Sequence, residues 1–86
     1  MTISKETMDK IIEEVKLLID VDDCVGVEIG NGRGLFVQVV DYGEKEYFIE
    51  LNNIEDGCYE PCKEYNAFAE FGNIAKLVEN VESYLS

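Results

Sequence analysis

Histidine and tryptophan are absent from this 86-residue sequence, proline and arginine occur once each, and cysteine three times. Each shortage closes a class of function. Without histidine the commonest general base and metal ligand is missing, and no Ser-His or Cys-His nucleophilic site can be assembled. Arg33 and six lysines leave few cationic clamps for a developing negative charge. The expectation is a protein that is not an enzyme, with no cofactor and no metal centre. Cys24, Cys58 and Cys62 are too few and odd in number for a disulfide scaffold, which points to a reducing, cytoplasmic setting. No apolar run approaches the roughly 18 residues of a membrane span. The opening Met1-Thr2-Ile3-Ser4-Lys5-Glu6 lacks the basic segment and apolar run of a secretion signal.

Acid is what the chain has in excess: 19 Asp and Glu against 7 Lys and Arg give a formal net charge of −12. Such a surface is repelled by phosphate backbones and anionic lipid, so neither direct nucleic-acid binding nor membrane association is expected, and a basic protein is the favoured partner. The 47% hydrophobic and 10% aromatic content is ordinary for a globular chain, so a normal core is expected under the charged shell. A chain of this length makes one domain, 1–86, burying about 60–65% of its unfolded surface.

Ser4 is a good N-cap, with Ile3 placed to staple onto Met8. Met8, Ile11, Ile12, Val15, Leu18 and Ile19 then recur at helical spacing, predicting a helix over Lys5 to Ile19. The run Asp20-Val21-Asp22-Asp23 ends that helix with carboxylates where the macrodipole is already negative, and reads as a solvated connector. Beyond it the period falls to two. Val25, Val27 and Ile29, then Leu35, Val37 and Val39, then Tyr47, Ile49 and Leu51 form the apolar faces of three strands. Apolar residues meet across the strands if both hairpin loops, Gly30-Asn31-Gly32 and Tyr42-Gly43-Glu44, are odd in length. That register pairs Val27 with Leu35, Val25 with Val37, Val39 with Tyr47, Val37 with Ile49 and Leu35 with Leu51.

Asn52-Asn53 and Glu55-Asp56-Gly57 are turn-like. Pro61 either interrupts a short strand at 58–60 or opens a helix, and residues 62–71 fit helix or strand alike. Gly72-Asn73 closes one segment and caps the next, a helix over Asn73 to Leu85. The expected fold class is α+β: a two-layer domain with a three-stranded antiparallel sheet, room for a fourth short strand, and N- and C-terminal helices on one face, in the order α-β-β-β-(x)-α.

Motifs that superficially suggest chemistry fail on detail. Cys58 and Cys62 would share a helical face, but three thiols fall short of a four-ligand zinc site, and small, buried or half-buried packing residues are expected instead. Glu60 and Glu64 oppose the low thiol pKa a redox role requires. Asp20, Asp22 and Asp23 resemble the start of a calcium loop, yet Cys24, Val25 and Asn31 stand where a ligand, a glycine and a glutamate are needed. Gly30-Asn31-Gly32-Arg33-Gly34 joins two strands rather than a strand and a helix, so it is a hairpin and not a phosphate loop.

The sheet's second face is more informative. Phe36, Val40 and Phe48 point away from the helices, ringed by Glu28, Gln38, Glu46 and Glu50. Either residues 52–71 fold back over them, or the face docks on something else. Residues 41–70 hold nine carboxylates against Lys45 and Lys63, more than half of the net charge. The leading expectation is therefore a binding protein that occupies the basic groove of a nucleic-acid-processing protein. Asp41, Glu44, Glu46, Glu50, Glu55 and Asp56 would stand in for phosphates, and Phe36, Phe48 and Tyr59 would serve as desolvated anchors. In size, charge and lack of catalytic groups the chain resembles the small acidic inhibitors that phages and mobile elements direct against restriction or CRISPR nucleases. That resemblance is one of class and implies a basic nuclease as partner, without assigning a role to any residue. The alternative is a structural domain that forms a homodimer through the second sheet face.

Overall fold

The computed structural model describes residues 4–85, and the side chains within that span except those of residues 62–65, 84 and 85. Helix α1 (Lys5–Val15) is followed by strands β1 (Cys24–Gly30), β2 (Arg33–Asp41), β3 (Lys45–Glu55) and β4 (Cys58–Glu70), then by helix α2 (Ile74–Leu85). The strands form one antiparallel sheet in chain order, β1-β2-β3-β4. Helix α1 packs against β1, and α2 against β3 and β4. This is the expected α+β arrangement, with a sheet one strand wider than its certain part.

Period-two burial sets the layers. Val27, Leu35, Val37, Val39, Tyr47, Ile49 and Leu51 face the helices and are buried with Ile11, Val15, Leu18, Ala69, Leu77 and Val81. The pairings are those that bring apolar residues together: Val25 with Val37, Val27 with Leu35, Val37 with Ile49, Val39 with Tyr47. A slip of one residue would turn this set to the other face. The first hairpin reaches the register by another route than an odd loop. Gly30 pairs with Arg33 around a two-residue Asn31-Gly32 turn, and a register shift between Glu28 and Gly30 absorbs the difference. Asn31 and Gly32 both have positive φ, 56° and 71°, as a two-residue turn matched to strand twist requires. The second loop, between Asp41 and Lys45, has the expected odd length.

Two elements depart from expectation. Helix α1 begins as read, with the Ser4 hydroxyl accepting from Thr7 N–H at 3.2 Å, but it ends at Val15. Leu17 and Leu18 then donate to the carbonyls of Glu14 and Val15, a tightened turn that rolls Leu18 into the core and leaves Ile19 exposed. The carboxylates of 20–23 thus lie beyond the helix and not in its last turn. The staple from Ile3 lies outside the described residues. Residues 58–70 form the longest strand, neither helix nor short. Ala67 and Ala69 take the helix-facing positions there, small enough for α2 to approach, while Asn66 and Phe68 alternate with them. Pro61 opens no helix. It pairs with Asn52 on this edge strand, beside a register shift between Glu50 and Asn52, the kind of place where a missing N–H is tolerated.

Asn73 Oδ1 caps α2 by accepting from Lys76 N–H at 3.1 Å. Asp23 closes the α1–β1 connector: its Oδ2 accepts from Asp20 N–H at 2.9 Å and Ile19 N–H at 3.0 Å. These two bonds, Asp20's first, hold the Asp23 carboxyl below the ordinary aspartate range, helped by the charge of Lys45. A depressed folded-state pKa means that stability is present above the unfolded value of about 4 and is lost as pH falls through the folded value. An NMR titration should therefore place the Asp23 midpoint below that of an unstructured aspartate, and Asp23→Asn should remove this contribution to the acid limb of the unfolding curve.

Candidate docking surface

The face opposite the helices is assembled by strand pairing into four rows. Across β1, β2, β3 and β4 they read Glu28-Gly34-Asn52-Pro61, then Gly26-Phe36-Glu50-Asn66, then Cys24-Gln38-Phe48-Phe68, and at the far end Val40-Glu46-Glu70 on β2 to β4. Phe48 and Phe68 pack with tilted rings at 5.4 Å between centroids, and Tyr42 meets Phe68 edge-on at 6.0 Å. A partly exposed aromatic band is therefore flanked by Glu50 on one side and by Glu46 and Glu70 on the other. Among the described residues these rows contain no lysine or arginine. The single ion pair within 4 Å among the described residues, Lys76 with Glu79 at 3.7 Å, lies on α2. Lys45, the cation nearest in sequence to the band, turns to the helix side, where it donates to the Ile19 carbonyl at 3.0 Å and lies 5.1 Å over the Phe71 ring.

The nine residues expected to bind are spread along the sheet. Glu46, Glu50, Phe36 and Phe48 share the open face and are half-buried. Asp41 and Glu44 are exposed at the β2–β3 turn, where Asp41 Oδ1 also accepts from Gly43 N–H at 2.9 Å. Glu55, the last residue of β3, and Asp56, in the β3–β4 turn, are exposed at the opposite end. With β3 about 35 Å long, the two turns do not form one cluster. Tyr59, 38% exposed, packs at the glycine end of the face. Its ring lies against Gly26 and Gly34, and with Ile54 it folds the tip of the β3–β4 hairpin onto that end of the face. Among the described side chains of residues 52–71, those of Ile54 and Tyr59 cover the glycine end and leave the Phe48-Phe68 band partly exposed. Phe68, 45% exposed, and Tyr42, 75% exposed, belong to this surface and were missed by sequence reasoning. The period-two alternation of Asn66-Ala67-Phe68-Ala69-Glu70 is the signal that would have found Phe68.

The cysteines depart from expectation too. Cys24 and Cys58 are exposed rather than buried, and a strand over 58–70 has no helical face to bring Cys58 beside Cys62, whose side chain is not described. Among the described residues no cluster of three or more metal-ligating side chains occurs, and no helix is long and apolar enough to cross a membrane. Comparison with protein-family models, with curated proteins and with solved structures gives no match.

A Cβ at Gly34 would lie 2.5 Å from a Tyr59 ring carbon and 2.9 Å from Ile54 Cδ1. Gly34→Ala should therefore destabilise the fold by about 1–3 kcal/mol in urea unfolding, and by much less in a Tyr59→Ala background. Glu46 and Glu70 stand directly opposite each other, and like charges in that position are unfavourable. Glu70→Lys should accordingly raise stability by about 0.5–1 kcal/mol at low salt, with the gain shrinking toward 1 M salt.

Proposed function

We propose that this chain is a non-enzymatic binding protein that docks its open sheet face on a basic surface of a protein partner, of the kind that binds nucleic acid, and so blocks it. The observation that carries this reading is the partly exposed Phe48-Phe68 band bordered by Glu46, Glu50 and Glu70 without a described cation. An apolar centre with a charged rim of one sign has the anatomy of an interface core with steering charges. Magnitudes limit how literally nucleic acid is copied. A duplex carries one charge per roughly 1.7 Å of axis, or about twenty over 35 Å, which is the longest dimension of this molecule. The open face and its two turns offer Glu28, Glu46, Glu50, Glu70, Asp41, Glu44, Glu55 and Asp56 over that length. Charge at this density steers association, and the aromatic band must supply much of the affinity. An inhibitor of a nuclease, acting in the reducing cytoplasm where the exposed Cys24 and Cys58 would stay thiols, fits this reading.

Self-association through the same face would bury the acidic borders of two copies in one interface, which weighs against a dimer. The test is capture of a bacterial lysate on the immobilised chain, eluted from 0.1 to 1 M salt, over which the screening length falls from about 10 to 3 Å. A basic nucleic-acid enzyme that elutes with salt, competes with DNA or RNA for binding, and loses tenfold or more in affinity to Glu46→Lys/Glu50→Lys is the expected result. Retention indifferent to salt and to that double variant would overturn the reading. So would a sedimentation mass showing a dimer that strengthens with salt.

A further inference from the structure

We propose that the depression at the β2–β3 turn end of the open face is an arginine pocket, filled by a guanidinium group that the basic partner presents. This deepens the function proposed above and rests on it. The depression has a volume of about 350 Å³ and is lined by Val21, Asp22, Gln38, Val40, Asp41, Tyr42 and Phe48. Its floor is the open face itself, where Gln38 lies opposite Phe48. The α1–β1 connector supplies Val21 and Asp22 to the lining, and the end of β2 and the turn after it supply Asp41 and Tyr42.

Both aspartates are held in place. Asp22 has a φ of 75° and accepts from Gln38 Nε2 through Oδ1 at 3.2 Å, while its N–H donates to the Val39 carbonyl at 2.8 Å. Asp41 Oδ1 is engaged by Gly43 N–H at 2.9 Å. Each carboxylate accepts these bonds through one oxygen, which leaves it capacity to accept from an incoming donor. Aromatic and aliphatic residues complete the lining: Phe48, Val21, Val40 and Tyr42, the last 75% exposed and met edge-on by Phe68 at 6.0 Å.

A depression lined by two aromatic residues and two aspartates selects a cation, and its shape selects which one. Guanidinium is planar, stacks on rings, offers its N–H donors in a fixed fork and is weakly hydrated, so it loses little on entering a half-dry slot. Ammonium is a compact and strongly hydrated charge that uses neither the rings nor two separate acceptors as well. The depression is open along the face rather than enclosed, so it would leave a free small molecule far more exposed than ligand cavities do. It is continuous with the Phe48-Phe68 band, so a side chain reaching from a docked protein enters it without crossing a barrier. That makes the partner's arginine the fitting occupant.

The test is an NMR titration of the whole labelled chain with N-acetyl-arginine methylamide, its lysine counterpart and its neutral citrulline counterpart. Arginine should move the amides of Val21, Gln38, Val40, Tyr42 and Phe48 and saturate at a dissociation constant on the order of millimolar. Lysine should bind at least threefold more weakly, and citrulline should give no localised shifts. Tyr42→Ala and Asp22→Asn should each weaken the arginine response threefold or more, with the spectrum of the rest of the sheet unchanged as the control for folding. Equal responses to arginine and lysine spread over all carboxylates would overturn the pocket, as would an undiminished response in Tyr42→Ala. A basic protein captured as strongly by Tyr42→Ala as by the native chain would leave the docking function standing and remove the pocket. An arginine response with no basic protein captured would overturn the partner-borne source.

Discussion

Val37 lies between Val25 on β1 and Ile49 on β3, and on this pairing the rest of the molecule depends. The two helices have one apolar stripe each and can cover only one side of a sheet. Register therefore decides at a stroke which side chains are buried and which are left for solvent. With Val37 and Ile49 turned to the helices, Phe36, Gln38, Phe48 and Glu50 must face outward. The composition of the open face is thus a by-product of core formation, and its chemistry can change without touching the core.

Much of this was readable in the residues. The alternation of Val25 to Ile29, Leu35 to Val39 and Tyr47 to Leu51 carried register as well as strand identity, because only one alignment brings apolar residues opposite each other. Local turn chemistry was less legible: Asn31-Gly32 and the register shift before Gly30 achieve together what an odd loop would do alone. The end of α1 was misread because Leu18 and Ile19 continue the helical period, although the chain leaves the helix at Val15 and uses a tight turn to bury Leu18. β4 was the largest gap. Alanine favours helices when taken alone, and Ala67 and Ala69 read as sheet residues only when the period-two alternation through Phe68 is set above that propensity.

The candidate surface was legible in its centre and not in its edges. Phe36, Phe48, Glu46 and Glu50 follow from register, whereas Tyr42, Phe68 and the lining supplied by Val21 and Asp22 depend on how turns and connectors are placed in space. Tyr59 is positioned by a feature of another kind. An aromatic residue in an acidic loop looked like a contact residue, and Gly26 and Gly34, two positions without side chains on adjacent strands, make a seat for its ring. Glycines that seem to be gaps in a strand pattern were the clue to that packing.

The sheet order β1-β2-β3-β4 is also the chain order, and each helix packs beside a strand next to it in sequence. Every strand pairing is then closed by a connection of two or three residues, and no strand has to wait for a distant partner. Loop-closure entropy is small at each step, so the contact order is low for a sheet protein and the chain should fold faster than a Greek-key sandwich of equal length. A strongly acidic chain gains from this, because the mutual repulsion of its carboxylates is overcome hairpin by hairpin instead of in one collapse.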